Sequence, residues 1–328
     1  MQTELLQLLC CPVTGQKLQT KDPVYDQKGT IESGWLVSED GTQRYPIKNF
    51  IPRFVPEVNY ADSFGMQWNK FSKTQLDSHT GCAISTKRFY NATKWTTEEL
   101  KGKWVLDIGC GAGRFAEVAL QAGANVVALD YSTAVDACYA NLGHYPNLHV
   151  LQGNVYQLPF VKESFPYIYS LGVLQHTPDV EKSFFSLVKM LAKNGKLCVD
   201  FYEKSWKSAM LPKYWLRPLT RHIPKMRLFS MLEFMVPVML PVSIGLGKIP
   251  FVGKTIKRII PVANYVGELP LNWQQQKEWA LLDTFDWLSP EFDNPQNAPT
   301  VRGWLETAQI SDIEVLKAGH LVGRGIKK

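Results

Sequence analysis

The stretch Val105-Leu-Asp-Ile-Gly-Cys-Gly-Ala-Gly-Arg-Phe115 decides how this chain of 328 residues is read. Trp104 to Ile108 is a short apolar run of strand formers, and from Arg114 onward the sequence takes on helical apolar spacing. Between the two lie Asp107, Gly109, Gly111 and Gly113. Glycines there let the backbone turn tightly and let a ligand approach the main chain without meeting a Cβ. The N–H groups that open the following helix are unpaired donors suited to a carboxylate or a phosphate. The carboxylate of Asp107 repels a pyrophosphate and suits an ammonium group.

Spacing separates the usual ligands of such a turn. A dinucleotide fingerprint places its third glycine at position 114, which is Arg. The next strand-like run ends in Asp130, 21 residues after Gly109, where an acid can take two ribose hydroxyls. Acid, Gly-x-Gly-x-Gly, then acid after the second strand resembles the class I S-adenosylmethionine-dependent methyltransferases, in particular the ubiquinone C-methyltransferase-like group. The resemblance implies that Asp107, Gly109, Gly111 and Gly113 hold the methionine moiety and that Asp130 holds the ribose. It further implies cofactor contacts from Tyr131, Asn154, Val155 and Leu171. Relatives commonly carry an acid where Asn154 stands; Asn offers the adenine amino group the same carbonyl acceptor without the charge.

From 104 to 200, strands and helices alternate with short loops, which argues for a parallel sheet with helices on both faces. Strands are expected at Leu148–Gln152, Phe165–Leu171 and Gly195–Phe201, with helices near Thr133–Asn141 and over Val180–Ala192. Ligands sit outside the carboxyl ends of such strands, so Gly172 to His176 should border the site. The Leu-x-His turn here, Leu174-Gln175-His176, resembles that of the same family. His176 is the candidate general base; equally, it reads as a turn histidine that hydrogen-bonds the start of the next helix. The strand ending at Phe201 delivers Tyr202 to the same rim.

Upstream, Tyr45-Pro46-Ile47 and Ile51-Pro52-Arg53-Phe54 are similar to the end of the small zinc-ribbon-like domain that precedes many such enzymes. The metal ligands are missing: Cys11 is followed by Pro-Val-Thr, and the second pair's place reads Val37-Ser-Glu-Asp40. Tetrahedral zinc needs four ligands, so no metal is expected. In Ser63–Phe71, Phe64, Trp68 and Phe71 recur at helical spacing, giving either a connecting helix or a lid over the cofactor in which Trp68 touches substrate.

The net charge of +6 is uneven. Residues 1–200 balance, whereas residues 201–262 hold eleven Lys and Arg against Glu203 and Glu233. Residues 203–280 are expected to be a helical cap inserted between strands five and six, or else an interfacial surface reaching an anionic membrane. The most apolar run, Phe234–Leu246, has thirteen residues and is interrupted by Pro237 and Pro241. It reads as too short to span a bilayer and too broken for one long amphipathic helix. Residues 281–299 are expected to form an irregular loop with Asp286 and Trp287 toward substrate and Asp283 as a cap or salt-bridge residue. The chain should close with a helix and an antiparallel hairpin.

Six cysteines without framework spacing, and an N-terminus with no basic region or long apolar core, point to a cytoplasmic chain, at most peripheral to a membrane. The expected architecture is α/β: a Rossmann-like seven-stranded methyltransferase sheet, a small N-terminal domain and a helical cap. Its parts are residues 1–58, residues 59–202 with 281–328, and the insertion 203–280. The resemblance implies methyl transfer from S-adenosylmethionine to a small or lipid- or glycan-linked acceptor, with substrate contacts from Trp68, Gln175, His176, Tyr202, Asp286 and Trp287. A nucleic-acid acceptor is disfavoured, because the basic excess lies in an apolar segment and no base-flipping motif occurs. A non-catalytic cofactor-binding module is the other alternative.

Overall fold

The computed structural model describes residues 1–56, 59, 61–205 and 211–328. The boundary expected at 58 and residues 206–210 of the expected insertion lie outside the described residues.

Four short strands come first: β1 (Leu18–Tyr25), β2 (Ile31–Ser38), β3 (Arg44–Lys48) and β4 (Ile51–Pro52), an antiparallel sheet in sequence order. Helices α1 (Asp62–Lys70), α2 (Asp77–Thr80), α3 (Ile84–Thr93) and α4 (Thr97–Leu100) lead into the large sheet. Thr96 and Glu99 close α4 with a capping box, which satisfies two donors that a helix start otherwise leaves open.

The large sheet then alternates strand and helix: β5 (Trp104–Ile108), α5 (Arg114–Gln121), β6 (Asn125–Asp130), α6 (Ala134–Leu142), β7 (Leu148–Gln152) and β8 (Phe165–Ser170). Helix α7 (Val180–Met190) runs directly into β9 (Leu191–Phe201). The helix expected to reach Ala192 thus stops two residues earlier. The strand order is β10-β11-β9-β8-β5-β6-β7. Strands β5 to β9 pair in parallel, and the hairpin of β10 (Ile310–Ala318) and β11 (His320–Lys327) joins β9 antiparallel. Strand β5 has β6 on one side and β8 on the other, so the winding reverses at its carboxyl end. That reversal opens the crevice where open α/β sheets take ligands.

Alternation along β5 sends Leu106 and Ile108 to one apolar layer and Val105 to the other. The first layer also contains Met1, Leu5, Leu8 and Leu36 of the N-terminal region, so the small sheet shares its core with the large one. Backbone joins them as well: Phe54 N–H donates to Gln152 O at 2.8 Å and Cys10 N–H to Pro159 O at 3.0 Å.

Between β9 and β10 come α8 (Pro212–Thr220), α9 (Lys225–Gly247), α10 (Gly253–Ile256), α11 (Trp273–Leu288) and α12 (Ala298–Thr307). Two expectations are corrected here. The proline-interrupted run is one helix of 23 residues with Pro237 and Pro241 inside it. By length and composition it is apolar and long enough to cross a membrane. Residues 281–288, expected as loop, belong to α11, which begins with an Asn272/Gln275 capping box and crosses the expected 280/281 boundary without a break. Helices α9 and α11 pack through Leu232, Val236, Leu240 and Phe285 into a third apolar cluster that also takes Phe71. This packing explains how a helix with two internal prolines holds together: tertiary burial outweighs propensity.

Candidate active site

A cavity of about 1060 Å³ lies at the carboxyl ends of β5, β6 and β8, roofed by α1 and the segment between β9 and β10. Its sheet side begins with the glycine turn. Gly109 has φ +81°, and a Cβ there would lie 2.3 Å from the Val173 side chain. Gly111 has φ +52°, and a Cβ there would lie 3.2 Å from the Trp68 indole, so the tryptophan packs toward bare backbone. Gly113 opens α5 outside the cavity lining, packed toward Leu142 and Cys138.

Asp130 ends β6 and lines the cavity. Its Oδ2 accepts the Gly111 N–H at 3.0 Å, and its Oδ1 accepts the Ser132 N–H at 2.8 Å and the Ser132 hydroxyl at 2.7 Å. Burial raises its pKa, against the lowering pull of those donors. The carboxylate therefore ties the turns after β5 and β6 together, and Oδ2 keeps a lone pair for another donor. Tyr131, Val155 and Leu171 also line the cavity.

Two further expected cofactor contacts, besides Gly113, are placed off the cavity. Asp107 is 2% exposed and lies beneath the turn, off the cavity lining. Burial pushes its carboxyl up to about 8; the Tyr169 hydroxyl opposes this and the charge of Asp130 adds to it. Asn154 is also off the lining, because its Oδ1 accepts the Tyr156 N–H at 2.9 Å within its own turn. Its neighbours Gly153 and Val155 border the cavity instead.

On the acceptor side, the 3₁₀ turn Leu174–His176 brings His176 to the wall. Its Nδ1 lies 3.0 Å from the Phe292 carbonyl. A carbonyl only accepts, so Nδ1 carries the proton and Nε2 is the basic nitrogen of the neutral ring. The Phe64 and Tyr202 rings hold the imidazole at centroid distances of 5.3 and 5.5 Å. Gln175 is corrected as a substrate contact: it is fully buried, off the cavity lining, and neither end of its amide meets a hydrogen-bond partner. The same tight turn that turns His176 outward turns Gln175 in.

Trp68, Tyr202, Asp286 and Trp287 line the cavity as expected, although the last two do so from a helix. The Tyr202 hydroxyl donates to Asp286 Oδ2 at 3.3 Å. Sequence reasoning gave Asp283 only a structural part, yet it too lines the cavity. Its Oδ2 accepts the Tyr265 hydroxyl at 2.5 Å and its Oδ1 the Gln75 amide at 3.4 Å, while burial lifts it to about 6. Gln75 in turn accepts from Arg114 Nη1 at 2.9 Å, which links the start of α5 to α11. Arg88, which also lines the cavity, pairs with Asp200 at 2.9 Å. Tyr265, Arg114 and Arg88 carried no sequence signal, because their partners come from distant segments. Among the described residues, no three His, Cys, Asp or Glu side chains are grouped to hold a metal ion.

Residues 106–199 match the family model described as "Methyltransferase domain". This is a class I methyltransferase domain. The chain is 30% identical over 160 residues to a sterol 24-C-methyltransferase of Pneumocystis carinii, covering 47% of this chain and 40% of that one. It is 32% identical over 111 residues to phosphoethanolamine N-methyltransferase 2 of Caenorhabditis elegans, covering 32% and 25%. To a ubiquinone biosynthesis O-methyltransferase of Rhizobium rhizogenes it is 29% identical over 129 residues, covering 38% and 52%. The chain thus spans about half or less of the length of these curated relatives. Among solved structures, magnesium protoporphyrin IX methyltransferase from Synechocystis matches at 13% identity and a TM-score of 0.45, covering 82% of this chain and 97% of that one. The methyltransferase domain contains the glycine turn, Asp130 and the His176 turn, and the roof lies outside the matched span.

Proposed function

We propose that this chain transfers a methyl group from S-adenosylmethionine to a small or lipid- or glycan-linked acceptor held under the roof. The observation that carries the reading is that one cavity joins the Asp130–glycine turn to His176, Asp283 and Asp286. The residues fit the cofactor: Asp130 is a half-buried carboxylate at the cavity with accepting capacity left, and the glycine turn beside it brings bare backbone to the cavity wall at Gly109 and Gly111. When bound, S-adenosylmethionine supplies an electrophilic methyl group. Asp130 would accept its ribose hydroxyls, and Asp107, beneath the turn with its Oδ2 unpartnered, would once ionised attract the ammonium group from below.

The protein's own part is largely positioning. Trp68 and the roof exclude water and hold the acceptor close to the methyl donor. For a hydroxyl acceptor, His176 Nε2 takes the proton as the oxygen becomes nucleophilic; the Phe292 carbonyl fixes the tautomer that makes this possible. Asp283 and Asp286 grip hydroxyl or amino groups of the acceptor. The setting of this reading is the cytoplasm, with at most peripheral membrane contact through residues 203–262.

Calorimetry with S-adenosylhomocysteine, followed by a product-formation assay over phenolic, sugar and amine acceptors, tests the proposal. Binding of S-adenosylhomocysteine together with turnover of one acceptor class supports it. For a hydroxyl acceptor, His176→Ala should lower kcat about a hundredfold or more with little change in cofactor KM. No binding of S-adenosylhomocysteine would refute it.

A further inference from the structure

Among the described residues, nothing covers the outer face of α9. Its inner stripe, with Phe229, Leu232, Val236 and Leu240, is buried against α11, where Phe229 and Phe285 meet at 5.5 Å. The opposite stripe carries Met231, Phe234, Val238 and Val242 at helical spacing, with Phe234 79% and Val238 60% exposed. Beyond the helix it continues into Ile249 and Phe251, the latter wholly exposed. Between Met231 and Gly247 the exposed positions include one charge, Glu233, and that is tied to Lys70 at 2.9 Å. Trp215 and Leu219 of neighbouring α8 add two more exposed apolar side chains. A contiguous apolar face of this extent marks an interaction site.

The ends of the stripe say what covers it. Arg227 begins the same face and Lys248 closes it, both exposed, with Arg221 exposed beside the first turn. An uncharged middle between cationic ends matches an anionic bilayer surface: hydrocarbon for the middle and headgroups for the ends. The helix meets the length and composition of a spanning segment, but its inner stripe is committed to α11. We propose that α9 lies flat in the interface of an anionic membrane, immersed by its Phe234–Val242 face. The chain beyond α9 reaches the cavity wall at Ile260, Pro261 and Val262, and Val262 belongs to the apolar cluster on which the inner stripe of α9 packs. An acceptor with an apolar tail would therefore enter from the bilayer side. That last step rests on the methyl-transfer reading; the docking does not.

The test uses the full chain and vesicles of phosphatidylcholine, alone or mixed with phosphatidylglycerol, sedimented at low and high salt. The wild type should bind the mixed vesicles, more weakly as salt screens the cationic ends. Phe234→Glu with Val238→Glu should reduce binding roughly tenfold or more. Arg227→Glu with Lys248→Glu, which leaves the apolar face intact, should abolish the preference for anionic lipid. S-Adenosylhomocysteine affinity, read on every variant, should be unchanged, which shows that each has folded. Absence of vesicle binding by the wild type overturns the proposal. So does a concentration-dependent dimer, seen by light scattering, that the Phe234/Val238 variant splits; the face would then belong to a second copy of the chain. If vesicles bind but S-adenosylhomocysteine does not, the methyl-transfer reading fails and the docking stands.

Discussion

Asp130 has three protein donors on its carboxylate before any ligand arrives, so its replacement removes both a ribose acceptor and the tie between two loops. Asp130→Ala should weaken S-adenosylhomocysteine binding by roughly 1.5–3 kcal/mol, about tenfold or more, as measured by calorimetry. Asp107 makes a different prediction. Its carboxyl stands at about 8 against an ordinary 3.8, so it is largely protonated in the unliganded protein near neutrality. A group raised in this way favours the folded state at low pH and loses that contribution as pH rises through the raised value. An ammonium group bound in the cavity above it would favour the ionised form, so cofactor binding at about pH 7 should release a proton. Binding heats in buffers of different ionisation enthalpy should show that release, and Asp107→Asn should remove it. Asp130 and the glycine turn were legible because a fixed strand–turn–strand geometry sets their spacing. Asn154 was expected at the cavity, but its side chain closes a local turn off the lining, which composition does not reveal. Asp283 was undervalued because Tyr265 and Gln75, which hold it at the cavity, are remote in sequence.

Helix α9 shows where element-level reading stops. Prolines inside a helix each remove a hydrogen bond and crowd the preceding turn, so a run with Pro237 and Pro241 reads as too broken for one long amphipathic helix. The periodicity that overrides them is two-sided. One stripe is buried on α11 and the other is equally apolar and exposed, so the sequence shows hydrophobicity without an amphipathic contrast. The two faces should respond oppositely to truncation. Leu240→Ala empties a fully buried position and should cost about 2–5 kcal/mol, seen as faster amide exchange across α9 and α11. Val238→Ala, on the exposed stripe, should change stability little and leave exchange as it was. Equal effects at the two positions would mean that α9 does not pack on α11 as described.

Across the whole molecule, the alternation of strand and helix from 104 to 200 made the sheet and its site readable, because parallel sheets and ligand crevices follow from topology. The N-terminal region was readable only in part. Its missing second cysteine pair was plain, but its shared core with the large sheet was not. Cys11 Sγ there lies 3.3 Å from the Tyr45 hydroxyl, and Asp40 accepts from Ser38 and Thr42 in its own turn, so neither waits on a metal. Elemental analysis of the purified protein should find no stoichiometric zinc. What the small sheet does instead follows from the bond between Phe54 and Gln152. Arg53 pairs in parallel with Gln152, so the end of the small sheet covers the carboxyl end of β7, the outer strand on that side, where the large sheet would otherwise end in open N–H and C=O groups. The far rim, β10, is disrupted by a bulge between Ser311 and Glu314. A bulged strand is a poor template for another chain, whereas a bare β7, buried along its whole length in the intact protein, would be a good one. The small sheet is in this sense a guard against self-association, and a chain trimmed of it should aggregate strand to strand rather than survive as a smaller enzyme.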